Sequence, residues 1–105
     1  MATNRVDILK QMVSQDPNNG FARYGLAMEY ANSGHLEHAV AEFRTLLQHD
    51  ETYAAAYYHG GQALEKLDKV DEARAMYEKG IEASTHKGDL HTRAEIEAAL
   101  NLLPI

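Results

Sequence analysis

Apolar residues recur at steps of three and four along most of the chain. The pattern is clearest from Phe21 to Ala31, from Leu36 to Leu47 and from Val70 to Ile81. That period places them on one face of an α-helix, and no stretch shows the strict alternation of a half-buried strand. Breakers interrupt the pattern at Asp16-Pro17-Asn18-Asn19-Gly20, Asn32-Ser33-Gly34, His49-Asp50-Glu51-Thr52, Leu67-Asp68 and Thr85-His86-Lys87-Gly88-Asp89. Pro17 stops a first helix, and Asn18 or Asn19 can cap the next by accepting from its free amides. The spacing predicts six helices, near residues 4–15, 20–32, 36–49, 53–67, 70–84 and 89–102. The predicted class is all-α.

The helices repeat. Leu36, Ala39, Phe43 and Leu47 are followed 34 residues later by Val70, Ala73, Tyr77 and Ile81. Before them, Ala22, Tyr24, Ala27 and Tyr30 return as Ala56, Tyr58, Gly61 and Leu64. Small aligns with small and aromatic with aromatic. A two-helix unit at this period is expected to stack into an array, the alternative being a bundle with small core residues. Small residues at Ala27, Gly61, Ala39 and Ala73 let paired helices approach, and Phe43 and Tyr77 are expected to fill the space between hairpins. A mid-helix glycine costs about 1 kcal/mol relative to alanine, so Gly60-Gly61 implies that a neighbouring helix needs the room.

The pattern resembles the tetratricopeptide repeat, with its W-x2-L-G-x2-Y, A-x3-F and closing A and P. Residues 20–53 resemble one repeat, carrying Leu26-Ala27, Tyr30, Ala39 and Phe43. Residues 54–87 resemble a second, with Tyr57 in the tryptophan place, then Gly61, Leu64, Ala73, Tyr77 and Gly80. Residues 1–19 resemble a preceding half repeat, and 88–105 the helix that covers the last hairpin. Arg23 replaces the aromatic, Gly60 the leucine, and Glu51 and Thr85 the closing proline. The resemblance implies a right-handed superhelical stack of antiparallel helix hairpins forming a single domain over 1–105.

Charge and composition narrow the function. Ten basic against sixteen acidic residues give a net charge of −6, spread over both halves. No basic cluster could displace counterions from phosphates, so nucleic acid is not an expected partner. The longest apolar run, Tyr53 to Tyr58, is far below the ~20 residues of a membrane span. The N-terminal residues lack a signal-peptide pattern, and a soluble, cytoplasmic protein is the expectation. There is no cysteine. His35 and His38 could supply two metal ligands but the spacing assigns no third, and His86 and His91 flank a turn; surface histidines are the simpler reading. G-x-S-x-G, P-loop and H-E-x-x-H motifs are all missing. Neither catalysis nor a cofactor or metal is expected.

What the resemblance implies instead is a protein-binding groove lined by the first helix of each hairpin. Carried over to this sequence, its candidates are Phe21, Tyr24, Met28, Ala31 and Asn32, then Ala55, Tyr58, Gln62, Glu65 and Lys66. The covering helix adds Asp89, Thr92, Arg93 and Ile96. Core burial is the alternative for Phe21, Tyr24 and Met28, and His59 is either a packing or a groove residue. Family members that clamp chaperone C-terminal carboxylates use lysines, arginine and asparagines. The matching places hold Tyr24, Met28, His59, Asp89 and Arg93, of which only Arg93 fits, so that subtype is not expected. The expected partner is a peptide or helix of another protein. The alternative is a homo-oligomer formed through the groove or an open repeat end. Leu90, Ala94, Ala98 and Leu102 are expected to cover the last hairpin.

Overall fold

The structure, a computed structural model, describes residues 4–105. Residues 1–3 of the expected half repeat and of the N-terminal targeting reading lie outside them. Six helices follow one another: α1 Arg5–Gln15, α2 Gly20–Asn32, α3 Leu36–His49, α4 Ala54–Lys66, α5 Val70–Lys87 and α6 Leu90–Asn101. Among the described residues there is no strand. Short turns between packed helices make successive helices antiparallel. The all-α stack of hairpins is the architecture.

The 34-residue repeat is written in the backbone. Gly34 and Asp68 end α2 and α4 with positive φ, 83° and 60°. The next amides, His35 and Lys69, each return to the carbonyl five residues back, Tyr30 and Leu64, at 2.9 Å. A left-handed residue closing a helix in this way favours glycine, and aspartate tolerates it. Asp16 and Asp50 close α1 and α3 alike: both are extended, with amides bonded to Met12 O and Leu46 O. Their carboxylates also accept from the Asn18 and Thr52 amides, at 3.1 and 3.0 Å.

At the third occurrence of this turn the pattern breaks. Position 84 holds serine, whose buried hydroxyl bonds back to Gly80 O at 2.7 Å. With no carboxylate to turn the chain, α5 continues past the expected end at 84 to Lys87, where Gly88 (φ 76°) stops it. Gly20 and Ala54, which open α2 and α4, are 34 residues apart, whereas Leu90 follows Ala54 by 36. Two residues rotate a helix by about 200°. The face of α6 that packs is therefore not the expected one. Leu90 and Leu102 are 69% and 84% exposed, and Ala94 and Ala98 are exposed too. Ile96, Ala99, Leu100 and Leu103 join the core instead.

Packing at the crossings explains the small residues. Ala27, Ala39 and Ala73 are fully buried. The ring of Tyr77 lies across Gly61 of its own hairpin, rather than between hairpins, and leaves no room for a Cβ there. At Gly80 a Cβ would fall 2.6 Å from Tyr57 Cβ and 2.9 Å from Ile96 Cδ1, so α4, α5 and α6 converge there. Arg23, in the aromatic place, is nearly buried and pairs with Glu42 of α3 at 2.7 Å. It bridges the same two helices by charge.

Curvature follows from which helices touch. The backbones of α2 and α4, and of α4 and α6, come close, whereas those of α3 and α5 stay apart and are bridged by the Arg44–Glu72 ion pair at 2.9 Å. The stack closes on the side of α2, α4 and α6 and opens on the side of α3 and α5.

Candidate functional site

The inner face of α2, α4 and α6 carries a connected set of aromatic rings. Tyr24 packs edge-on to Phe43 at 6.2 Å, tilts over Tyr53 at 5.2 Å and meets His59 edge-on at 6.0 Å. Tyr58 meets the other side of His59 at 5.1 Å. Tyr24, Tyr53, Tyr58 and His59 are all half-buried. The two core tyrosines differ: Tyr57 donates to Glu51 O at 2.8 Å, and Tyr77 donates to the Glu65 carboxylate. Among the described residues the hydroxyls of Tyr24, Tyr53 and Tyr58 make no such bond and are not sealed from solvent. Their rings belong to the fold and their polar ends do not.

Electrostatics ties α6 to this set. Burial raises the Tyr24 pKa, and the nearby Tyr53 and the Glu95 carboxylate raise it further. Burial likewise pushes the His59 imidazole below its usual value, opposed by Glu95 and a hydrogen bond with Gln62. The Glu95 carboxylate of α6 therefore acts on both groups through its charge. Its partner is His91, one turn back at 3.5 Å and 88% exposed.

The candidates from sequence fall into three groups. Tyr24 and Tyr58 are brought together through His59, with Gln62 beside it. Met28 and Ala31 are half-buried against the Phe43 cluster, and Ala55 is half-buried on α4. Phe21 is 79% exposed at the start of α2, and Asn32 and Lys66 are exposed at the ends of α2 and α4. Glu65 is engaged by Tyr77 and serves the fold. On α6, Ile96 is fully buried and so not a groove residue, Arg93 is part-exposed and pairs with Glu97 at 3.1 Å, and Asp89 caps the helix by accepting from the Thr92 amide at 3.1 Å. Tyr53 and Glu95 were not among the candidates. Tyr53 stands where the preceding repeat has Asn19, a helix cap, and Glu95 was hidden by the two-residue slip.

A second concavity, an open cleft of about 720 Å³, lies between α3 and α5 and includes Arg44, Leu47, Tyr57, Met76, Lys79 and His86. It is the gap left where the backbones of those two helices diverge. His35 and His38 sit 6.2 Å apart with rings nearly perpendicular. Among the described residues no three histidine, aspartate or glutamate side chains gather to hold a metal ion. No helix among them is long and apolar enough to cross a membrane.

Stacked hairpins with a small residue at each crossing define a helical-repeat protein. The chain belongs to the tetratricopeptide repeat family, whose model matches residues 22–53 and 54–86. Among solved structures, it is similar to a tetratricopeptide repeat domain protein from Salinibacter ruber. The two are 35% identical over 81% of this chain and 86% of that one, with a TM-score of 0.75. A protein from Bordetella parapertussis is 26% identical over 95% of this chain and 87% of its own, with a TM-score of 0.82. YrrB, described as a tetratricopeptide protein with an unusual peptide-binding site, is 27% identical with a TM-score of 0.73, over 85% of this chain and 46% of YrrB. No curated protein matches the chain.

Proposed function

We propose that the chain is a non-catalytic interaction module that holds a peptide or helix of another protein on the face of α2, α4 and α6. The observation that carries this reading is the row of half-buried tyrosines, Tyr24, Tyr53 and Tyr58, whose hydroxyls have no hydrogen-bond partner among the described residues. Aromatic side chains that are rigid at the base and polar at the tip tend to dominate binding energy. The peptide-binding site ascribed to YrrB supports the reading at family level. The carboxylate-clamp subtype is not proposed: with α6 advanced by two residues, His91 and Glu95 stand where Asp89 and Arg93 were expected, and Glu95 repels a carboxylate.

Two variants test the reading. Tyr77 is fully buried, so Tyr77→Ala should cost about 3–5 kcal/mol and unfold or badly weaken the domain. Tyr58→Ala should stay helical and folded while partner capture falls. Circular dichroism melts and binding measurements on the same two proteins decide it. If Tyr58→Ala unfolds as severely as Tyr77→Ala, Tyr58 is core and the reading fails.

A second reading, self-association through an open end, draws on α1, where Ile8 and Met12 are 46% and 38% exposed one turn apart. Mass in solution that rises with concentration, and stops rising in Ile8→Lys, would favour it.

A further inference from the structure

We propose that copies of this chain join head to tail, α1 of one copy packing on α6 of the next as the two helices of a hairpin. It rests on self-association through an open end, and it names both halves of the contact. The first ground is correspondence within the repeat. In the first hairpin α3 meets α2 through three pairs: Leu46 covers Gly20, Glu42 holds Arg23 at 2.7 Å, and Ala39 and Ala27 are buried together. α1 repeats α3 at the distance of Asp16 from Asp50, which puts buried Leu9 in the place of buried Phe43. α6 opens on Leu90 where α2 opens on Gly20, which puts buried Ile96 in the place of buried Leu26. Arg5, Ile8 and Met12 of α1 therefore hold the places of Ala39, Glu42 and Leu46. Leu90, Arg93 and Glu97 of α6 hold those of Gly20, Arg23 and Ala27. All six are exposed or half-buried. Among the described residues the α1 backbone neighbours only α2, and that of α6 only α4 and α5.

The second ground is that the two sets are complementary. A junction built like the internal hairpin sets Met12 against Leu90 and Arg5 against Glu97, with Ile8 along the apolar stem of Arg93. Opposite charges thus meet where the hairpin has two alanines. Each already holds a partner in its own chain, Glu29 with Arg5 at 2.6 Å and Arg93 with Glu97 at 3.1 Å. Docking lines up four charges of alternating sign, Glu29, Arg5, Glu97 and Arg93. The longer side chains hold these helices toward the wide end of the usual spacing of about 8–10 Å. The net charge of −6 opposes association, but screening over about 8 Å at physiological ionic strength leaves the contact pairs to decide. Two α1 helices facing each other would leave Leu90 and Glu97 uncovered.

The test is sedimentation of the full 105-residue chain from micromolar to millimolar concentration in physiological salt. A head-to-tail contact leaves a free end on every assembly, so the mass should rise past that of two chains. Ile8→Lys sets a lysine against Arg93, and Glu97→Arg sets an arginine against Arg5. Each variant should stay monomeric and keep the wild-type helical signal. Mixed one to one they should form a two-chain complex and nothing larger, because one unaltered α1 meets one unaltered α6. Leu90→Lys, at a position 69% exposed, repeats the α6 block without touching the Arg93–Glu97 pair. The proposal is overturned by assembly that stops at two chains, by assembly that Ile8→Lys stops but both α6 variants leave intact, or by a mixture that stays monomeric. In those cases self-association through the α1 end still stands. A wild-type mass that does not change with concentration, or assembly that Ile8→Lys leaves intact, overturns both.

Discussion

A methyl group added at Gly61 runs into the ring of Tyr77, whereas at Gly60 it meets the Met76 terminal methyl at 3.4 Å and Phe43 Cβ at 3.5 Å. The two neighbours therefore have different reasons to be glycine. Gly61→Ala should destabilise by about 1–3 kcal/mol, because Tyr77 is fully buried and its hydroxyl is tied to Glu65. Gly60→Ala should gain up to about 1 kcal/mol, since alanine favours the helix and the space is ordinary contact. Paired urea melts check the signs; two losses of equal size would mean Gly60 is also a close approach. His59 gives the residue scale its pH dependence. Burial holds its pKa below 6.5, so the unfolded chain takes a proton that the folded one resists. Its contribution to stability is present above that pH and lost as pH falls through it. The drop in urea midpoint from pH 7 to pH 5 should be smaller in His59→Gln than in wild type, and equal drops would remove His59 from the account.

Helix spacing was legible in the sequence because the same packing positions recur 34 residues apart, and the breakers fall at the turns. The register of α6 was not. Thr85-His86-Lys87 reads as turn material beside Gly88, and only the third occurrence of the turn shows why it is helix. Where Asp16 and Asp50 fold a carboxylate over the next amides, Ser84 bonds backward along its own helix. The signals that mark the true boundary are Gly88 as the left-handed stop and Asp89 as the cap of Thr92. Leu90, Ala94, Ala98 and Leu102 were expected on the covering face because of this slip and are exposed, while Ile96, expected in the groove, is buried. Substitution separates the two registers. Ile96→Ala should cost about 2–5 kcal/mol, whereas Leu90→Ala should stay within about 0.5 kcal/mol. Thermal melts showing the reverse order would restore the face expected from sequence.

Across the whole molecule, stability is a chain of neighbour contacts. The described residues extend 46 × 28 × 20 Å, and each helix packs on the next, with α2–α4 and α4–α6 as the further contacts. In such an array a perturbation weakens what it touches and fades with distance along the stack. α6 touches α5 and α4, closing over Gly80 and Tyr57 through Ile96. Removing residues 89–105 therefore exposes the second hairpin, while α1, α2 and α3 keep their neighbours. Native-state hydrogen exchange reads this element by element. The truncated chain should lose protection most in α5 and α4, and least in α2, whose partners α1 and α3 remain. Loss of equal size in every helix would show that the stack opens as one unit, with α6 holding the whole rather than its nearest hairpin.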